Sequence, residues 1–213
     1  MQDTSSPAPA GGGGSGVGSP VVVSLKDVLK YRSTYNQFMG HLILEFSIEN
    51  LLAVTEFMQY REHYHQQVLI MHSMSPISIA SLHVDLPLNH KEFPKSALVY
   101  HHDMHTQHTQ EDMKKCAIAL MRKYILNGAL FEVNIPYAMR QKYQHMYESE
   151  SAGNGMWEGE TERERMENAI QVFDVCVNEL MKLQRDSFSR FLARPVFRQC
   201  QEFILAQVEE IRT

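Results

Sequence analysis

Three short stretches carry polar side chains where connecting sequence is usually bland: EFSIEN at 45–50, FEVNIP at 131–136 and RDSFSR at 185–190. The Asn134 amide can donate and accept at once, on a loop that Pro136 stiffens. Glu132 sits beside it, able to contact a partner or brace the loop. Asp186, Ser187 and Arg190 fall at i, i+1 and i+4 of a helical segment, so the acid and the base can pair while Phe188, Phe191 and Leu192 point into a core. In the first stretch Ser47 can cap a helix, with Glu49 in its first turn, where a negative charge favours the helix dipole. A different chemistry is suggested by YHHDMHTQH, where His101, His105 and His108 would share one helical face at a spacing suited to zinc or copper. No cysteine or positioned second acid completes that set. The expectation is therefore no catalytic residues, no metal and no cofactor, with the histidines read as part of a pH-sensitive insertion.

The elements that must position these residues are helical. Met39, Leu42, Ile43 and Phe46 form one stripe at helical spacing, and Leu51, Val54 and Met58 form a second, so two helices meet at a corner around 46–50. SLKDVLKY supplies a Ser cap and apolar Leu25, Val28 and Leu29. Periodicity returns with Met113, Ala117, Leu120, Met121 and Tyr124 and stops at NGA, where Gly128 suits a left-handed residue. FEVNIP follows that stop directly. YAMRQKYQHMY reads as a helix, and a further one carries Ile170, Phe173, Val177 and Leu180. A short helix then holds Asp186, and Pro195 begins a last one with Val196, Cys200, Phe203, Ile204, Val208 and Ile211. No run alternates at period two, so the fold class is all-α.

Length and composition set the frame. At 213 residues, 44% hydrophobic and 21% charged, the chain is long enough for one well-buried core. A net charge of -5 gives no electrostatic reason to bind nucleic acid or anionic lipid. Cys116, Cys176 and Cys200 are odd in number, widely spaced and set in apolar patterns, and read as reduced core thiols of an intracellular protein. No run approaches the roughly 18 to 20 apolar residues of a membrane span. Residues 1–22 read as a flexible Gly/Ser/Pro leader, 23–209 as one domain, 61–110 as a His-rich insertion, 148–161 as an acidic loop and 210–213 as the C-terminal end.

In this order the motifs resemble a family. FMGHLILEFSIENLLAV resembles the first half of the regulator of G-protein signalling (RGS) domain, ALFEVNIP its middle motif, and FDVCVNELMKLQRDSFSRFLARPVF its closing motif. The likeness covers about 24–60 and 112–208. It departs at Ile48, which replaces the first of two usual acids, at Val54, near the place of a common tryptophan, and at Lys182, where a contacting leucine is common. The resemblance implies an RGS-type helical bundle of about nine helices in two packed subdomains. It also implies a protein that binds the α subunit of a heterotrimeric G protein (Gα) and accelerates its GTP hydrolysis, with no active site of its own. Its Gα face would comprise Phe46, Ser47, Glu49, Asn50, Glu132, Asn134, Lys182, Asp186, Ser187 and Arg190. The protein would be a cytoplasmic monomer brought to the plasma membrane by its partner. The alternative is an RGS-like scaffold that binds without accelerating hydrolysis.

Overall fold

The computed structural model describes residues 22–72, 109–151, 157 and 159–212. These form α1 (Leu25–Lys30), α2 (Arg32–Leu44), α3 (Ile48–His72), α4 (Thr109–Tyr124), α5 (Tyr137–Ser151), α6 (Glu162–Ile170), α7 (Asp174–Phe191) and α8 (Pro195–Arg212). Among the described residues there are eight helices and no strand. The all-α expectation holds, and eight of the expected nine or so helices fall among the described residues.

The starts follow from capping chemistry. Ser24 opens α1 and Thr161 opens α6, each with a capping box in which the hydroxyl accepts from the third helical N–H and an acid reaches back. Pro195 stands at the first position of α8, where no N–H is needed. Two tyrosines close α6 from a distance: Tyr60 donates to the Ala169 carbonyl at 3.0 Å and Tyr143 to the Val172 carbonyl at 2.8 Å. They add side-chain donors to carbonyls at the end of the helix and in the turn just past it.

Two lobes share one continuous core. In the first, α1, α2 and α8 pack together, and α2 and α8 meet the last turns of α7. Phe38 lies edge-on to Phe188 and Phe191 at centroid distances of 6.1 and 5.3 Å, and Phe197 closes the group. In the second, α3 packs on α4, α6 and α7, with α5 against α4. There Phe57 stacks on Phe173 at 4.2 Å, and Tyr60 and Tyr143 flank the pair. Because α7 runs through both lobes, its ends sit in different surroundings.

Several expectations are corrected. The buried face of α2 is Thr34, Tyr35, Phe38, His41 and Leu42, rotated from the expected stripe, which leaves Ile43 52% and Phe46 92% exposed. Helical order does not break at Arg61: α3 continues to His72, held by buried Tyr60, His63 and Tyr64. Residues 73–108 of the expected insertion, His101, His105 and His108 included, lie outside the described residues, as do residues 1–21 of the leader, and Thr109 and Gln110 already belong to α4. Glu148–Ser151 extend α5, where Gln144 donates to Glu148 and Lys114 pairs with Glu150. Ile170 ends α6, whereas Val177, Leu180 and Asp186 all lie on the single helix α7, because a turn at 171–173 separates the two. Leu192, expected inside, is 43% exposed just past the end of α7.

Candidate functional site

The corner between α2 and α3 starts from an unusual helix exit. Phe46 donates its N–H to the Ile43 carbonyl and Ser47 to the Leu42 carbonyl, at 3.2 and 3.0 Å. This is the paired pattern of a Schellman close, which places the residue after the cap in the left-handed region and usually recruits glycine. Here that residue is Phe46, at φ 53°, the one non-glycine residue with positive φ among those described. A side chain in that conformation costs about 1–2 kcal/mol. The chain thus turns an aromatic ring outward on a strained backbone. Ser47 does not make the expected cap: its Oγ is buried and has no hydrogen-bond partner among the described residues.

From this corner one bond reaches FEVNIP. Asn50 is 4% exposed, not on the surface, and its Oδ1 accepts the Asn134 backbone N–H at 3.1 Å. Its Nδ2 donates to Glu49 Oε1 at 3.1 Å, which orients the first-turn acid. The loop is braced a second time from its own side. Arg140 is buried and donates to the carbonyls of Ile125 and Val133, while Glu132 accepts the Gly128 N–H at 2.9 Å and pairs with Arg140 at 3.3 Å. Gly128 takes the expected left-handed φ of 75°, four residues beyond the last helical residue of α4. With Val133 and Ile135 buried, the intervening Asn134 side chain is turned outward, and its amide makes no hydrogen bond among the described residues.

A second link runs from the corner to α7. Arg190 does not pair with Asp186. Its Nε and Nη2 donate to Glu45 Oε1 and Oε2 at 2.5 and 2.8 Å, a two-pronged bond to the residue just before Phe46. Nη2 also donates to Ser187 Oγ at 3.0 Å. His41, buried beneath, bonds through Nε2 to the Ser187 carbonyl at 3.1 Å and faces Glu45 Oε1 at 3.2 Å. The hydrogen bonds from Arg190 hold the Glu45 carboxyl down at about 2, so it is ionised at neutral pH. Asp186 is left exposed and without an ion-pair partner among the described residues. Lys182, one turn earlier on the same face of α7, pairs with Glu179 at 2.7 Å, and no bond ties it to the corner.

The corner is therefore the hub: Asn50 ties it to the Asn134 loop, and Glu45 and His41 tie it to α7. Sequence reasoning passed over Glu45 and Arg140. Glu45 stood in plain view beside Phe46, but its partner is 145 residues away. Arg140 gave no signal, since its value lies in two carbonyls of a loop.

This arrangement presents polar side chains on braced corners. Among the described residues no group of His, Cys, Asp and Glu could hold a metal ion. Burial pushes the Cys116 and Cys176 thiols up to about 12, away from thiolate chemistry. No described helix is long and apolar enough to cross a membrane. Fold and site together define an all-helical recognition module. The family model described as the Regulator of G protein signaling domain matches residues 80–200, and the chain belongs to that family. Such domains bind Gα subunits and regulate their GTPase, and are not catalysts with an active site of their own. The matched residues run through α4 to the first turns of α8, and the Phe46 corner lies ahead of them. No curated protein and no solved structure matches the chain.

Proposed function

We propose that this chain binds the activated α subunit of a heterotrimeric G protein and accelerates its GTP hydrolysis, ending the signal. Gα already holds in cis the arginine that stabilises transition-state charge and the glutamine that orients the attacking water. What an activator adds is rigidity: it holds mobile switch segments in their transition-state arrangement. That task calls for short polar side chains on fixed corners. Asn134 would lie beside the water-orienting glutamine, and Asp186 would accept hydrogen bonds from a switch I threonine and its backbone. Phe46 provides apolar contact. Asn50, Glu132 and Ser187, whose polar atoms are used internally, support the face from behind, with Glu49 and Lys182 at its margins.

The observation that carries this reading is that the Asn134 and Asp186 side chains are exposed and make no hydrogen bond or ion pair among the described residues, Asp186 feeling Arg190 only as a nearby charge, while the residues around them are hydrogen-bonded to one another. Single-turnover GTP hydrolysis on a panel of Gα subunits tests it. Acceleration on at least one subunit is expected, with tighter binding to the GDP–aluminium fluoride form than to GDP alone. No acceleration at micromolar protein on any of them would sink the reading, and equal binding to both nucleotide forms would favour a scaffold. In the cell the protein would act as a cytoplasmic monomer, recruited to the inner face of the plasma membrane by its partner.

A further inference from the structure

We infer that Glu45 and Arg190 are positioning residues, a clamp that holds Phe46 outward in its left-handed conformation and so sets the affinity of the Gα-facing surface without touching the partner. The inference rests on the proposed Gα-binding role and adds to it a residue that the expected face did not include.

The strain at Phe46 motivates it. A phenylalanine in the glycine position of a Schellman close persists only when its surroundings over-determine it. The ring is 92% exposed, so its own packing contributes little. The restraint must come from the residues on either side. On one side Asn50 is buried and bonded to the Asn134 backbone. On the other, both Glu45 oxygens are taken by the Arg190 fork. Arg190 is itself fixed by Ser187 Oγ, and the Ser187 carbonyl is fixed by buried His41. The last turn of α2 is thereby pinned to the last turns of α7. A planar fork on a carboxylate restricts direction as well as distance, which a single ammonium contact would not. With these donors turned toward Glu45 and Ser187, Arg190 is a brace and not a contact.

Without the clamp, the corner is free to relax from the strained conformation. Only the fraction still in the outward form binds, and the apparent dissociation constant rises by the inverse of that fraction. Maximal acceleration is retained, because the partner selects the same bound form.

Three variants test the clamp by amide hydrogen exchange on the free protein and by titrated GTP hydrolysis. Glu45→Gln is expected to speed exchange at the Phe46 and Ser47 amides about tenfold while leaving α4–α6 unchanged, and to raise the half-saturating concentration about tenfold at the same maximal rate. Arg190→Lys, which keeps the charge and loses the fork, should move both readouts in the same direction by less. The exchanged pair, Glu45→Arg with Arg190→Glu, should bring both back toward the wild type. Unchanged exchange in Glu45→Gln would overturn the inference. So would an exchanged pair that regains protection but not affinity, since Glu45 or Arg190 would then touch Gα directly. If the wild type fails to act on any Gα, the functional reading falls, and the exchange measurements alone decide whether the clamp exists.

Discussion

Two corners of this molecule solve the same problem with different parts. Each follows a helix, contains a left-handed residue and is braced by a glutamate–arginine pair: Phe46 with Glu45 and Arg190, Gly128 with Glu132 and Arg140. At the second corner the left-handed residue is glycine, which adopts that conformation freely, and the arginine is buried against two backbone carbonyls. At the first, the left-handed residue is an exposed aromatic and the arginine lies half in solvent. One corner is built for stability; the other holds a strained ring in position. The Asn134 loop is a fixed platform, whereas the Phe46 corner spends stability on an outward-facing ring.

The largest effect expected from this contrast is at Arg140. Arg140→Ala leaves the Ile125 carbonyl without its side-chain donor and the Val133 carbonyl with only the Ile135 N–H at 3.1 Å, and should lower unfolding free energy by about 2–4 kcal/mol in urea titration. A loss below about 1 kcal/mol would mean that the loop holds itself.

Burial also separates the acids that face arginines. Asp174, at the start of α7, lies 3.3 Å from Arg61 and is buried, and desolvation outweighs the nearby charge, lifting its carboxyl from 3.8 to about 6. Glu45, nearer solvent and doubly bonded, goes the other way, from 4.5 to about 2. The signs are opposite. The Asp174 contribution is full below about pH 3.8 and is lost as pH rises through about 6, whereas that of Glu45 is present above about pH 4.5 and is lost as pH falls toward 2. Asp174 alone should therefore make the protein more stable at pH 5 than at pH 7.5, by about 1 kcal/mol. Asp174→Asn should remove that difference in denaturant midpoint; its persistence would assign it to another group.

The proposed contact residues on the two corners and α7 should behave unlike their braces. Asn134→Ala and Asp186→Ala are each expected to weaken binding to activated Gα by about 1–3 kcal/mol with little change in melting temperature. Unfolding of either variant would turn that residue from contact to support. The smallest effect has the most telling sign. Phe46→Gly should raise stability by up to about 1 kcal/mol, relieving the backbone, while it weakens Gα binding measured alongside. A variant that lost both would show the ring to be structural.

Much of the fold was legible because burial imposes helical spacing locally: Leu51, Val54 and Met58, or Met113, Ala117, Leu120 and Tyr124, are all buried as their intervals required. Gly128 was legible because the left-handed region has a residue type of its own. Phe46 was legible in two conflicting ways, since its place at the end of an apolar stripe reads as core while the resemblance sets it on an exposed face, and the rotation of α2 against α7 and α8 leaves it outside. Asp186 and Arg190 were misread as a pair for a similar reason. Spacing on one helix makes that pair available, but a carboxylate from another helix with both oxygens free makes a better one. Ser47, expected as a cap, is instead enclosed by the corner it was meant to start.

By itself, then, the sequence determined what depends on neighbours along the chain: helical periodicity, capping boxes, the proline and glycine that start and stop elements, and the three polar motifs that resemble the RGS domain. The tertiary structure alone decided which of those motif residues remain free to meet a partner. Asn50 and Arg190 are taken up by Asn134 and Glu45, far off in sequence, and Asn134 and Asp186 are left open. The reason is physical. A hydrogen bond is allotted by distance and direction in space, and a side chain's best partner is settled only once the helices carrying both have packed.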